Sequence, residues 1–219
     1  MSNVADEKEI VVQFVVKVKD DVNGQAVKNK AVVNDGTNDY ETNEVVNRTP
    51  VKHDPPVKKI VKGEGADPND EFKFSIEALY NTAGVSQMPM PNDASGKIAY
   101  TTAKAGETKE FGWITFTEPG TYVYEVKEVN NGLKNYKYDS TSYKLTYELA
   151  SNNGDLKMTL TVTRNGAKYD HSAFEFENVY EPPVKTGDTT IIGEYVVIFF
   201  ASIVLLLMIL FRRRRAEEK

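Results

Sequence analysis

Three short stretches of this chain alternate apolar and polar residues, and each places one polar side chain on its apolar face. Lys59 shares a face with Val57 and Val61, Glu128 with Tyr122, Tyr124 and Val126, and Asn178 with Phe174, Phe176 and Tyr180. Successive side chains on a strand point to opposite sides, so the alternation turns all three inward. A buried amine, acid and carboxamide must satisfy one another or react. Burial disfavours the ammonium and the carboxylate, so Lys59 tends towards a nucleophilic neutral amine and Glu128 towards a protonated acid. A protonated Glu128 hydrogen-bonded to the Asn178 carboxamide oxygen would polarise the carbonyl carbon and pass protons from the amine to departing ammonia. The product is a Lys–Asn isopeptide bond, formed once and without turnover. Each residue also has an inert reading, as a snorkelling or edge side chain, and a bulge would invert a face.

The elements that must position these residues read as short strands. Candidates cover 57–62, 71–79, 97–101, 108–116, 121–129, 143–149, 156–162 and 174–180, separated by turn sequences such as Asp67-Pro68-Asn69-Asp70, Asn130-Asn131-Gly132 and Asn152-Asn153-Gly154. Many short strands punctuated in this way predict an all-β chain with a β-sandwich over 57–181. Residues 1–47 read as the end of a second, truncated β repeat, with strands over 8–20, 27–34 and 39–46 and a hairpin signal at Asn23-Gly24. Residues 48–56, with three prolines, read as an extended linker. The lysine falls in the first strand of the sandwich, the acid in the middle and the asparagine in the last, so a bond between them would tie the ends of the domain together.

Composition narrows the function. Cysteine is absent, which excludes disulfides and cysteine-ligated metals. His53 and His171 stand in polar, loop-like contexts that predict solvated rings, with no metal-ligand spacing around either. The net charge is -5; residues 211–219 carry five basic and two acidic groups, +3, which leaves -8 on the remainder. So acidic a body argues against nucleic acid as partner. Asn47-Arg48-Thr49 and Gly63-Glu64-Gly65 match short motifs whose structural context is missing. No cofactor site and no hydrolytic constellation emerge.

Residues 191–211 are apolar and long enough to cross a bilayer, and four arginines follow at 212–215. The positive-inside rule places 212–219 in the cytoplasm and the body outside. Residues 1–8 lack the basic and apolar regions of a secretory signal, which predicts that the chain is the C-terminal piece of a longer reading frame.

The segments VKKIVKG at 57–63, EFKFSI at 71–76, GTYVYEVKE at 120–128 and FEFEN at 174–178 together resemble the streptococcal-type pilin isopeptide linkage domain of Gram-positive surface proteins, a Cna-B-like fold, across about 55–181. The resemblance implies a β-sandwich whose Lys–Asn bond joins first and last strands. It implies cross-linking residues Lys59 and Asn178 and a catalytic Glu128; the alternation favours Lys59 over its neighbour Lys58. Residues 15–20 and 28–34 look like part of a second fimbrial-type repeat, in which Asn47 could be the linking residue. Pro183-Val184-Lys185-Thr186-Gly187, within the connecting segment 182–190 and followed by the span and the arginines, is similar to a sortase sorting signal, with Pro183 and Val184 replacing the usual Leu and Pro. The resemblance implies sortase as partner, cleavage between Thr186 and Gly187, and attachment to peptidoglycan or to neighbouring pilin subunits. The expected function is a structural cell-surface pilin or stalk protein, anchored to the cell wall and not an enzyme beyond its own cross-linking. The rivals are the stalk of an adhesin whose ligand-binding region lies upstream, and an extracellular enzyme on a β-sandwich.

Overall fold

A computed structural model describes residue 15 and residues 17–19, 23–183 and 192–217, the side chains of 192–194 and 215–217 excepted. The chain divides into two compact units, Met1–Pro182 and Pro183–Lys219.

The first unit is built of strands. Ala26–Asn29 (β1) pairs antiparallel with Val45–Arg48 (β4), and Val32–Asn34 (β2) with Asp39–Glu41 (β3). The four form one long hairpin interrupted at Lys30-Ala31 and 42–44, where Thr42 N donates to Ala31 O and the Thr42 hydroxyl accepts from Ala31 N. Each expected strand, 27–34 and 39–46, is therefore split in two. Val32, Val33, Tyr40, Val45 and Val46 are exposed on this ribbon, and Asn47 is exposed in β4. Of the strand expected over 8–20, residues 15 and 17–19 are described and belong to no strand; the rest lies outside the described residues.

The stretch read as a linker is structured. Val51–His53 (β5) follows β4 at once, and Thr49 and Val51 are buried. The alternation Val51 in, Lys52 out is too short to register as a strand against three flanking prolines. The Asn23-Gly24 signal also serves another purpose than a free hairpin tip. Gly24 is buried, with φ +72°, its N–H donating to Pro50 O and its carbonyl accepting from Leu156 N.

The sandwich proper follows. It runs through Pro56–Lys62 (β6), Glu71–Asn81 (β7), Ile98–Lys104 (β8), Thr108–Glu110 (β9), Ile114–Phe116 (β10), Gly120–Val129 (β11), Tyr136–Lys137 (β12), Ser142–Asn152 (β13), Asp155–Arg164 (β14), Ala167–Lys168 (β15) and Phe174–Tyr180 (β16). One sheet has the order β15-β14-β13-β11-β7-β8, the other β12-β16-β6-β9, and β10 pairs with β5. The expected strand 108–116 breaks at Gly112, φ +98°, whose N–H donates to the Asp54 carboxylate, so β9 and β10 join different ladders.

Apolar side chains from alternate positions meet between the sheets. Phe74 of β7 lies 5.1 Å from Phe176 of β16, and Tyr143 of β13 lies 5.3 Å from Phe174 and 5.2 Å from Phe176. Aromatic and β-branched residues suit this half-buried pleated surface, and their tilted contacts add to plain burial. The first and last strands of the sandwich, β6 and β16, lie side by side in parallel, with Phe176 opposite Lys59 and Asn178 opposite Val61.

The second unit contains a helix, Ile192–Glu217 (α1), with a stretch Tyr195–Arg214 long and apolar enough to cross a membrane. The expected span ended at 211, but the helix continues through the arginines. Arginine is a good helix former, so hydropathy marks the membrane boundary and not the end of the helix.

Candidate functional site

Lys59, Glu128 and Asn178 converge between the two sheets. Lys59 sits mid-β6, its backbone N–H donating to Glu107 O at 3.0 Å and its carbonyl accepting from Gly106 N at 2.9 Å. Asn178 sits on neighbouring β16, and Glu128 near the end of β11 in the opposite sheet, across from Phe74 of β7. Lys59 and Asn178 are 0% exposed, as is the side chain of Glu128. Lys58 is half-exposed on the other face of β6, paired with Glu175 at 3.0 Å. The alternation thus places all three polar residues correctly and separates Lys59 from its neighbour.

One oxygen touches both nitrogens of the cluster. Glu128 Oε1 accepts from Lys59 Nζ at 2.7 Å and from Asn178 Nδ2 at 2.8 Å. This corrects one expectation: Glu128 meets the carboxamide nitrogen and not its oxygen. The donor for Asn178 Oδ1 is the backbone N–H of Asp139, at 2.9 Å, and the same N–H lies 3.0 Å from Glu128 Oε2. Two acceptor oxygens and one donor N–H sort the amide by polarity, NH2 to Glu128 and C=O to Asp139.

The walls are dry. The Phe72 ring lies 4.4 Å from Lys59 Nζ, and Phe74 flanks it. Residues 130–141 close the end of the cluster: Tyr136 packs edge-on against Phe72 at 5.1 Å and its hydroxyl donates to Asp70, while Asn131 Nδ2 donates to Glu71 O. In this setting desolvation pushes the Lys59 amine below the usual lysine range, against the opposing pull of Glu128. Desolvation likewise pushes the Glu128 carboxyl up, against Lys59, Asn178 and the Asp139 amide. Both shifts run towards the uncharged pair, an amine beside a protonated acid. The cluster thus brings together the groups that acyl transfer from Asn178 to Lys59 would need: an amine, a proton carrier and a donor to the carbonyl oxygen.

Asp139 is the residue that alternation could not find. It lies in a loop, outside any strand pattern. Asp139-Ser140-Thr141 carries a turn signal, an aspartate bonding to a backbone amide two residues on, but nothing in it points to residues 128 and 178.

His53 departs from the solvated reading. It is half-buried, with Nδ1 2.9 Å from the hydroxyl of buried Tyr147. Burial holds its imidazole below the usual value, against the opposing effect of Asp54. His171 is exposed, as expected. Among the described residues no group of three or more histidines, cysteines or carboxylates could hold a metal ion. Pro183 is exposed outside any helix or strand; Val184, Lys185, Thr186 and Gly187 lie outside the described residues.

Comparison with known proteins follows the same boundaries. The family model FctA, described as the Spy0128-like isopeptide-containing domain, matches residues 55–181, more than half of the chain. The major pilin of Streptococcus pyogenes aligns at 23% identity and TM-score 0.41, covering 59% of this chain and 50% of that one. A variant of the same pilin aligns at 19% identity and TM-score 0.38, with the same coverage. The pilus-presented adhesin Spy0125 (Cpa) aligns at 23% identity and TM-score 0.33, covering 60% of this chain and 28% of that one. The chain thus spans half the length of the pilin and about a quarter of the adhesin. No curated protein matches it.

Proposed function

Because the chain belongs to the Spy0128-like isopeptide-containing domain family, we propose that it is a self-stapling structural protein of a Gram-positive cell surface, whose Lys59 and Asn178 join in an intramolecular isopeptide bond with Glu128 as the catalytic acid and base. The observation that carries this reading is the position of Glu128 Oε1, within hydrogen-bond distance of the attacking and the leaving nitrogen in a fully buried cluster. Lys59 Nζ attacks Asn178 Cγ, the protonated Glu128 delivers its proton to Nδ2 and takes up the one the amine sheds, and ammonia leaves. Glu128 ends as it began. The chemistry is a single event, so the protein is not an enzyme with an external substrate.

The topology gives the bond a mechanical use. The parallel strands β6 and β16 are the ends of the matched domain. Pulling the domain by its two ends shears these neighbours past each other, and a Lys59–Asn178 bond spans the sheared ladder directly. Force then bypasses residues 60–177.

The intact mass of the purified chain tests the reading. One ammonia less than the sequence mass is expected, and the full sequence mass in a folded sample would sink it. For anchoring, Pro183-Val184-Lys185-Thr186-Gly187 ahead of α1 supports recognition by sortase, with Thr186 joined to peptidoglycan or a neighbouring subunit and the arginine cluster left in the cytoplasm. Thr186→Ala then leaves the protein in the membrane fraction of its own cells. Unchanged wall attachment would count against the motif. A covalent ladder on denaturing gels marks a polymerised subunit, a single anchored band a stalk.

A further inference from the structure

Among the described residues, the Asp139 amide is the one donor on the Asn178 side-chain carbonyl, and the Asp139 side chain is itself tied to the strand that carries Asn178. Its Oδ2 accepts from the Glu177 N–H at 2.8 Å, and its Oδ1 from the Thr141 N–H at 2.8 Å. The loop is therefore fastened at two points, through its carboxylate to residue 177 and through its N–H to the side chain of 178. Burial acts to raise the Asp139 carboxyl, but hydrogen bonds from Thr141 and Glu177 outweigh it and hold it below the usual range, so the ionised acceptor persists.

We infer that Asp139 supplies the carbonyl half of the site: its backbone N–H stabilises the negative charge that develops on Asn178 Oδ1, and its carboxylate holds that N–H in place. The inference rests on the isopeptide reading above. When Lys59 Nζ bonds to Cγ, the carbonyl electron pair moves onto Oδ1, and a donor already 2.9 Å away needs no reorganisation. The pair returns as the Cγ–Nδ2 bond breaks and Nδ2 leaves as ammonia with the proton delivered by Glu128. The second branch of the N–H, to Glu128 Oε2, holds the carboxyl so that Oε1 faces both nitrogens. Nucleophile and proton carrier thus come from strands, whereas the charge stabiliser comes from a loop.

The test follows ammonia loss in the full chain, made by cell-free synthesis into detergent micelles, quenched in denaturant and weighed. The pH is set low enough that the wild-type reaction trails folding. Replacing the residue 139 amide by an ester, with the carboxylate side chain kept, removes the N–H alone. The rate should fall by about 10²–10³-fold, and the alkaline limb of the pH profile should move to higher pH, because this N–H also holds the Glu128 carboxyl down. Asp139→Asn keeps the N–H but one competent acceptor oxygen, and should react at least about tenfold more slowly at its pH optimum, with the acid limb moved to lower pH because the Asp139 charge helps hold the Lys59 proton. A general loosening of the Lys59–Glu128 pair would instead draw both limbs inward, because desolvation is what spreads them. If the ester chain does not fold, Asp139→Asn decides alone. Wild-type rates in the folded variants would overturn the role of Asp139 and leave the isopeptide reading intact. A wild-type chain that keeps its full mass would overturn both.

Discussion

Lys59 is the residue on which the site turns, because its side chain has no exposed surface and its amine pairs with the Glu128 carboxyl. Glu128→Ala removes that partner and leaves a buried amine without its hydrogen-bond acceptor, so it should restore the full sequence mass and cost about 1–3 kcal/mol in addition to the lost cross-link. Glu128→Gln keeps the shape but cannot carry protons, and should also retain full mass. Lys58→Ala removes only a half-exposed ion pair with Glu175; ammonia should still be lost, and stability should change by less than about 1 kcal/mol. Mass spectrometry and denaturant titration distinguish these outcomes. In the proposed reaction the reactive form has a neutral Lys59 and a protonated Glu128. Since burial lowers the first pKa and raises the second, the rate of ammonia loss should fall on the acid side as Lys59 takes a proton. It should fall on the alkaline side as Glu128 ionises. Quenched-flow mass measurement across pH gives that profile.

Among the elements, β5 and the β6–β16 ladder matter most. His53 of β5 reaches the hydroxyl of Tyr147 on β13, and its folded-state pKa is depressed by burial. A depressed value means the unfolded chain binds the proton more readily. The contribution of His53 is therefore complete above about pH 6.5 and is lost as pH falls from there through its folded value. His53→Gln should flatten this acid limb, read as the difference in thermal midpoint between neutral and mildly acid buffer. The ladder ends at Gly63, where φ is +99° and a Cβ would run into the carbonyl oxygen of Tyr180. Gly63→Ala should separate the ends of β6 and β16, and slow cross-linking by disturbing the register that sets Phe176 opposite Lys59. A cross-linking rate equal to wild type would show that the register does not depend on this contact.

For the whole molecule, the bond would close a loop from 59 to 178, 119 residues further on. On the chain-entropy account such closure is worth about 4–5 kcal/mol, or roughly 15–20 °C in Tm for a domain of this size. Comparing wild type with Glu128→Gln should show a shift of that order in calorimetry, after allowance for the altered side chain. Single-molecule pulling offers a sharper measure, because 119 residues at about 3.3–3.6 Å each are withheld from extension. The wild-type chain should stretch about 400 Å less than Glu128→Gln. Equal extensions would mean that no bond spans the two strands.

Strand faces are a property of local sequence. Side-chain period in a strand is set by backbone geometry, so the alternation alone turns Lys59, Glu128 and Asn178 inward and tells Lys59 from Lys58. The apolar span over 191–211 and the sandwich class are legible for the same reason, since each depends on local composition and period. Which groups meet is instead a property of the folded chain. Glu128 reaches the carboxamide nitrogen, Asp139 reaches its oxygen, and His53 is half-buried against Tyr147, because segments from distant parts of the chain converge there. Three-residue strands such as β5 are too brief for a period to show, and their existence depends on a distant partner, β10, where Ile114 pairs with His53 and Phe116 with Val51. A polar pattern can announce that a strand must bury an amine. Only the packing of two sheets and a loop assigns a partner to each of its neighbours.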